Sequence, residues 1–117
     1  MTRQPKPGQA VRGSRTGRPI MAALDLLGRR GTLRIVWELR EGRRLTFRAL
    51  VVAAELNPAT VNTRLKEMRA AGLVLAEAGY GLTPLGHALI TAIAPLGDWA
   101  EAWAKNLRRA QEALRSA

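Results

Sequence analysis

The chain has 117 residues, which is enough for one ordinary domain and too few for two domains that each bury a core. Its formal net charge of +10 predicts a polyanionic partner, with nucleic acid as the first class and an anionic membrane surface as the second. The lack of cysteine excludes disulfides and thiol redox sensing, and with a single histidine we predict no enzyme, metal site or cofactor.

The first 18 residues are basic and polar. They lack the apolar run of a secretory signal, and no later stretch is apolar for long enough to span a membrane, so we expect a cytoplasmic protein with no membrane partner. They hold five cations and no acid, between prolines and glycines, so residues 1–18 are predicted to be a flexible basic arm. A solubilising tail and a phosphate-binding arm both remain open.

Four short helices are predicted after this arm. Pro19 and Pro58 suit first helical positions. Thr46 and Asn57 can accept hydrogen bonds from the exposed amides of the third and fourth helices. A glycine follows the first, second and fourth helices and predicts where each one ends. The predicted helices cover residues 19–27, 32–41, 47–54 and 58–71.

The fourth helix has two different faces. Val61, Leu65 and Met68 fall on one stripe at 100° per residue, which predicts the buried side. The opposite face carries Ala59, Thr60, Thr63, Lys66 and Ala70, and the flanks carry Asn62, Arg64 and Arg69. Short polar side chains of this kind suit a helix that approaches base edges in a major groove, although a solvated helix face would look the same.

A hairpin and a long helix complete the predicted elements. Strands over residues 73–75 and 80–82 flank a turn, and a last helix runs over residues 84–115 with a bend expected at Pro95. Apolar residues along this helix alternate spacings of four and three, which is typical of a dimerisation seam. The alternative is that the helix covers its own domain. The predicted dimerisation residues are Leu89, Ile93, Leu96, Trp99, Trp103, Leu107 and Leu114.

This order of elements is that of a winged helix-turn-helix domain with the fourth helix in the recognition position. The fold class is therefore predicted to be mainly α with a small β-hairpin and a long C-terminal helix. We expect a flexible arm (1–18), a DNA-binding core (19–83) and a dimerisation helix (84–117).

Longer motifs run along residues 19–103. They are LDLLGRRGTLRIVWELREG, RRLTFRAL, NPATVNTRLKEMRAAGLV, LTPLGHAL and DWAEAW. In these motifs the chain resembles the HxlR family, a branch of the MarR-like winged helix-turn-helix transcription regulators. The most specific part is the cap and proline that lead into RLKEM and AAGLV, followed by LTPLG.

The resemblance implies a cytoplasmic homodimer that binds a pseudo-palindromic operator, with one recognition helix, residues 58–71, in each half-site. It implies that residues 57–66 read the bases, and that the start of the supporting helix and two arginines near it touch phosphates. With the flanks of the fourth helix included, the predicted DNA-binding residues are Arg43, Arg44, Thr46, Arg48, Asn57, Ala59, Thr60, Asn62, Thr63, Arg64, Lys66 and Arg69.

The chain departs from the family pattern at three places. Arg18 stands where the family commonly has a cysteine, so thiol sensing does not transfer. Gly31 replaces an aromatic residue, which alters the packing of the first two helices. The wing is only LAEAGYGL, with Glu77 and no cation, so it is poorly suited to the minor groove and leaves the basic arm as a candidate for that role.

Three other functions are compatible with part of this pattern. A winged helix can serve as a protein-docking module without specific DNA binding, but the placement of the cations along the arm and the helices favours duplex DNA. RNA binding would need exposed aromatic residues, and Tyr80 is the one aromatic outside the predicted helices. An unidentified small-molecule effector could lie against Trp37, Trp99 and Trp103, although we expect these side chains in the core.

Overall fold

The computed structural model describes residues 4–116, so residues 1–3 of the predicted arm and residue 117 lie outside the described part. The elements are α1 (Pro19–Leu27), α2 (Thr32–Glu38), α3 (Phe47–Ala54), α4 (Pro58–Ala70), β1 (Val74–Ala76), β2 (Tyr80–Leu82), α5 (Pro84–Ile93) and α6 (Pro95–Ser116). This confirms the predicted fold class of a mainly helical chain with a small antiparallel hairpin. No helix within residues 4–116 is long and apolar enough to cross a membrane.

Local hydrogen bonds start α3 and α4 where the sequence predicted. The Thr46 hydroxyl accepts the Ala49 amide at 3.1 Å, and the Asn57 side-chain oxygen accepts the Thr60 amide at 2.8 Å. Each bond satisfies one of the amides that a helix N-terminus leaves without an internal partner. Both predicted caps are confirmed.

The second helix ends earlier than the glycine after it indicated. The last residue of α2 is Glu38, and the Leu39 amide bonds to the carbonyls of both Ile35 and Val36 at 3.2 Å, which tightens the final turn. The chain then reverses through Glu41 and Gly42, both with positive φ. The glycine therefore belongs to the turn after the helix rather than to its cap.

The core lies between α2, α3, α4 and the hairpin. The predicted stripe of α4 is confirmed, because its three apolar side chains are buried. The buried apolar residues of these elements and the residues next to them are Ile35, Val36, Leu39, Leu50, Ala54, Val61, Leu65, Met68, Leu73, Val74 and Leu82. Ala22 and Leu26 of α1 are also buried.

The hairpin gains a third segment that the sequence did not predict. β1 and β2 pair antiparallel with Val74 opposite Leu82, and Leu45 pairs with Tyr80 on the outer side of β2. The Tyr80 amide donates to the Leu45 carbonyl at 2.7 Å, and the Leu45 amide donates to the Tyr80 carbonyl at 3.0 Å. The segment before α3 is thereby attached to the wing.

Residues 4–18 fold back on themselves and contact a helix. The Gly8 amide donates to the Gly17 carbonyl at 2.9 Å, and the Gln4 side chain donates to the Glu67 carbonyl of α4 at 3.0 Å. A Cβ on Gly17 would lie 1.9 Å from a backbone oxygen, so only glycine fits. These are defined contacts along the predicted arm, whose flexibility in solution stays a prediction.

The predicted last helix is two helices. α5 ends at Ile93 and α6 begins at Pro95, because proline has no amide to donate and its ring clashes with the preceding turn. The chain also divides into two compact units after His87, which is four residues beyond the predicted boundary at residue 83. α6 alone has 22 residues, or about 33 Å at 1.5 Å per residue.

The turn between α3 and α4 offers a test of backbone strain. Glu55 has φ 56° and ψ 41°, a left-handed conformation in which a Cβ is unfavourable. We expect Glu55→Gly to raise the free energy of unfolding by about 0.5 to 1 kcal/mol in urea denaturation. Glu55→Ala is the matched control, because it removes the same carboxylate and keeps the Cβ. An equal gain in both variants would assign the effect to charge rather than to the backbone.

Candidate nucleic-acid interface

The outward face of α4 has the exposure that DNA reading needs. Ala59, Thr63, Lys66 and Ala70 are exposed, and Thr60 is half-buried. The Thr63 hydroxyl donates to the Ala59 carbonyl at 3.0 Å, so its proton is used within the helix and its oxygen can still accept a bond. Small side chains between the polar ones leave the helix backbone accessible. This face can approach base edges closely.

The supporting segment before α4 presents three further arginines. Arg43 and Arg48 are exposed, and Arg43 lies 3.9 Å from the Glu38 carboxylate, a loose ion pair. Arg44 is also exposed, and its side chain crosses the wing. Its guanidinium donates to the Glu77 carbonyl at 3.1 Å, and a Cβ on Gly81 would lie 2.6 Å from its side chain. The Arg44 side chain therefore packs in the space where a Cβ on residue 81 would lie. The sequence did not indicate this contact.

A different part of α4 holds a charge cluster that the sequence pattern did not predict. We call Arg29, Arg64 and Glu67 the Glu67 cluster. Both guanidiniums pair with the one carboxylate, and all three side chains are between 11% and 19% exposed. Arg64 also donates through Nε to the Arg30 carbonyl at 2.9 Å. The three-residue spacing of Arg64 and Glu67 was a visible signal, whereas Arg29 is 38 residues away in sequence.

Because of the Glu67 cluster, one of the residues of α4 that were predicted to contact DNA is directed away from the solvent. Arg64 was predicted on a flank from which it would reach phosphates, but its guanidinium is directed toward the turn between α1 and α2. Asn62 and Arg69 on the other flank are exposed. The described cations on α4 that extend into solvent are thus Lys66 and Arg69.

An open cleft separates the recognition helix from the wing. Lys66, Arg69 and Ala70 line one wall, and residues 74–77 line the other. The two cations stand next to the outward face of α4, while Glu77 stands on the wing. Residues 74–77 hold no cation, so the positive charge that lines this cleft comes from α4.

The second unit presents apolar side chains to solvent. None of the residues of α6, all of them described, is buried. Trp99 and Trp103 are 58% and 54% exposed and stack on each other, with ring centroids 5.5 Å apart. Leu96, Leu107 and Leu114 are also exposed, while Leu89 and Ile93 of α5 are half-buried.

The expectation that Trp37, Trp99 and Trp103 lie in the core is wrong for the single protomer. The two on α6 are exposed, and Trp37 on α2 is 51% exposed under the Arg40 guanidinium, 4.1 Å from the ring centroid. The arginine covers an aromatic face that the core does not reach.

Comparisons with known proteins agree with this geometry. Residues 32–74 match the family described as winged helix-turn-helix DNA-binding, a range that begins with α2 and ends in β1. The crystal structure of the quinone-bound YodB from B. subtilis is similar, with 26% sequence identity and a TM-score of 0.67 over 72% of this chain and 97% of that chain. No curated protein sequence matches. The chain carries a winged helix-turn-helix DNA-binding domain and is a DNA-binding protein of the transcription-regulator type.

The Glu67 cluster gives a stability prediction. Glu67→Gln leaves two partly buried guanidiniums without their carboxylate, and we expect the free energy of unfolding to fall by about 1 to 3 kcal/mol. Glu77→Gln on the exposed wing changes the net charge equally and should stay within about 0.5 kcal/mol of the wild type in urea denaturation. Similar losses in both variants would mean that net charge, not the cluster, determines stability.

Proposed function

We propose that this chain is a cytoplasmic, sequence-specific transcription regulator of the HxlR type. In this proposal a homodimer binds a pseudo-palindromic operator, and each protomer inserts α4 into the major groove of one half-site. The observation that carries the proposal is the exposed face of small and polar residues on α4, whose other face is fixed in the core of a DNA-binding domain.

Base reading is assigned to the polar residues of that face, Thr60, Thr63 and Lys66. Hydroxyls and an ammonium group can exchange hydrogen bonds with base edges in the major groove. The exposed Arg43 and Arg48 are assigned to phosphates, which position the protein without reading sequence. The net charge of +10 supports binding to duplex DNA that weakens as salt rises.

The homodimer is supported by the second unit. The apolar residues of α6 lie on one side of the helix, and the charged residues Asp98, Glu101, Lys105, Arg108 and Glu112 lie on the other. Exposed leucines and tryptophans in a continuous row are typical of a protein interface. We assign a second copy of this chain as the partner, because a two-fold dimer would place two recognition helices on one duplex.

A small-molecule effector is also part of the proposal. The solved YodB contains bound quinone, and in this chain the stacked Trp99 and Trp103, which belong to the row assigned to the second copy, would line an aromatic site for a flat ring at the dimer seam. With no cysteine, such a ligand would bind without a thiol adduct.

The reading role of α4 is tested with duplexes selected from a random pool. We expect an enriched inverted repeat, and Thr63→Ala and Lys66→Ala should each weaken binding to it by about 1 to 3 kcal/mol, with less effect on random duplex. Lys105→Ala is the matched control, because it removes one exposed lysine from α6. Failure to enrich any sequence would favour a protein-docking module without specific DNA binding.

The dimer is tested with a charge in the apolar row. Leu107→Glu would bury two unpaired carboxylates in a two-fold contact, so we expect light scattering to report a monomer. Operator affinity should then fall by about two decades, because the second half-site is no longer linked. Ala102→Glu adds the same charge away from the row and should remain a dimer. A dimeric Leu107→Glu protein would place the interface elsewhere.

A further inference from the structure

A cavity lined by arginines lies beside α4, on the flank opposite the wing. Its volume is about 270 Å³, and we call it the arginine pocket. The N-terminal segment contributes to one wall, the end of α1 and the turn after it form another, and α4 closes the third. The lining residues are Arg12, Leu24, Asp25, Gly28, Arg29, Arg30 and Arg64.

The arginine pocket has an excess of positive charge. Four guanidinium groups line it, while Asp25 and the nearby Glu67 supply two carboxylates, so a formal surplus of two positive charges remains. Arg29 and Arg64 are only 11% and 19% exposed, so water screens their charge less than it would on an open surface. A concave site of this sign concentrates anions.

Backbone and side-chain bonds hold the walls in place. The Arg30 carbonyl accepts the Arg64 Nε at 2.9 Å, which joins the turn to α4. The Arg12 amide lies 3.3 Å from the Asp25 carboxylate, which joins the N-terminal segment to α1. The guanidiniums of Arg29 and Arg64 and the backbone that carries Arg12 and Arg30 are therefore in place before any ligand arrives, and this reduces the ordering entropy that binding would cost.

We infer that the arginine pocket binds an oxyanion, a phosphate or carboxylate group. Guanidinium groups match such groups because each presents two parallel N–H donors to two oxygens. The Glu67 carboxylate pairs with Arg29 and Arg64. The positive charges that it does not pair with are those of Arg12 and Arg30, which are exposed. The group can come from a free small molecule or from a duplex phosphate next to α4, and the experiment separates these sources.

Occupation of the pocket would act on the recognition helix. The bound oxyanion and Glu67 share Arg29 and Arg64, so the ligand competes with the ion pairs that hold α4 to the turn between α1 and α2. Ligand binding and the position of α4 are thereby linked through two side chains.

The probe is inorganic phosphate, compared with chloride at equal ionic strength. We expect a saturable rise in Tm and amide shifts at residues 28–30 in the wild type. Arg12→Gln/Arg30→Gln should lose both effects, and Arg108→Gln/Arg109→Gln, which removes two exposed cations of α6, should keep them. An equal rise of Tm in all three proteins would result from screening of the net charge and would argue against a site for free phosphate. Circular dichroism checks that each variant folds.

Duplex binding identifies the source of the oxyanion. If the group is a duplex phosphate, Arg12→Gln/Arg30→Gln should reduce the slope of log affinity against log salt by about one, the value for one phosphate contact, relative to the α6 control. A saturable phosphate response with an unchanged slope assigns the pocket to a free anion. The inference is overturned if the phosphate response is not specific to the pocket and the slope is also unchanged. The phosphate measurements contain no DNA, so their result does not depend on the proposed function.

Discussion

Burial of the apolar stripe on α4 is the constraint from which the rest of the structure follows. Val61 and Met68 are fully buried and Leu65 nearly so, and together they orient the helix about its own axis. A rotation would bring lysine or asparagine into the core, where an unpaired polar group costs several kcal/mol. The outward face is therefore set by the inward one. The proposed reading of bases by this face requires such rigidity, because hydrogen bonds to base edges tolerate little error in position.

Charge pairing then divides the cations of the domain into two groups. Arg29 and Arg64 pair with Glu67, and Arg44 lies against the wing, so these three side chains hold elements together. Lys66, Arg48 and Arg69 extend into solvent, where a polyanion can reach them. Counting positive residues in a basic protein thus overstates how many are available to DNA, because some of them neutralise the few carboxylates present.

The two units present opposite kinds of surface. Residues around α4 are small, polar and cationic, whereas one side of α6 is a row of exposed leucines and tryptophans. The surface around α4 suits a hydrated, charged partner, because burying unpaired charge is unfavourable. The row on α6 suits an apolar partner, because burying apolar area is favourable. The proposed dimeric regulator, which would bind DNA and a second protomer at once, requires both surfaces on one chain.

The sequence by itself determined the features that depend on neighbouring residues. The caps at Thr46 and Asn57, the interruption of the last helix at Pro95, which was expected as a bend and is a full break, and the buried stripe of α4 all follow from bonds or periodicity within a few positions. The tertiary structure alone decided which cations pair with Glu67, how Leu45 joins the wing and where residues 4–18 lie. The physical reason is distance along the chain. A cap is three residues from its amide, whereas Arg29 meets Glu67 across 38 residues, and only the packing of the core brings them within reach.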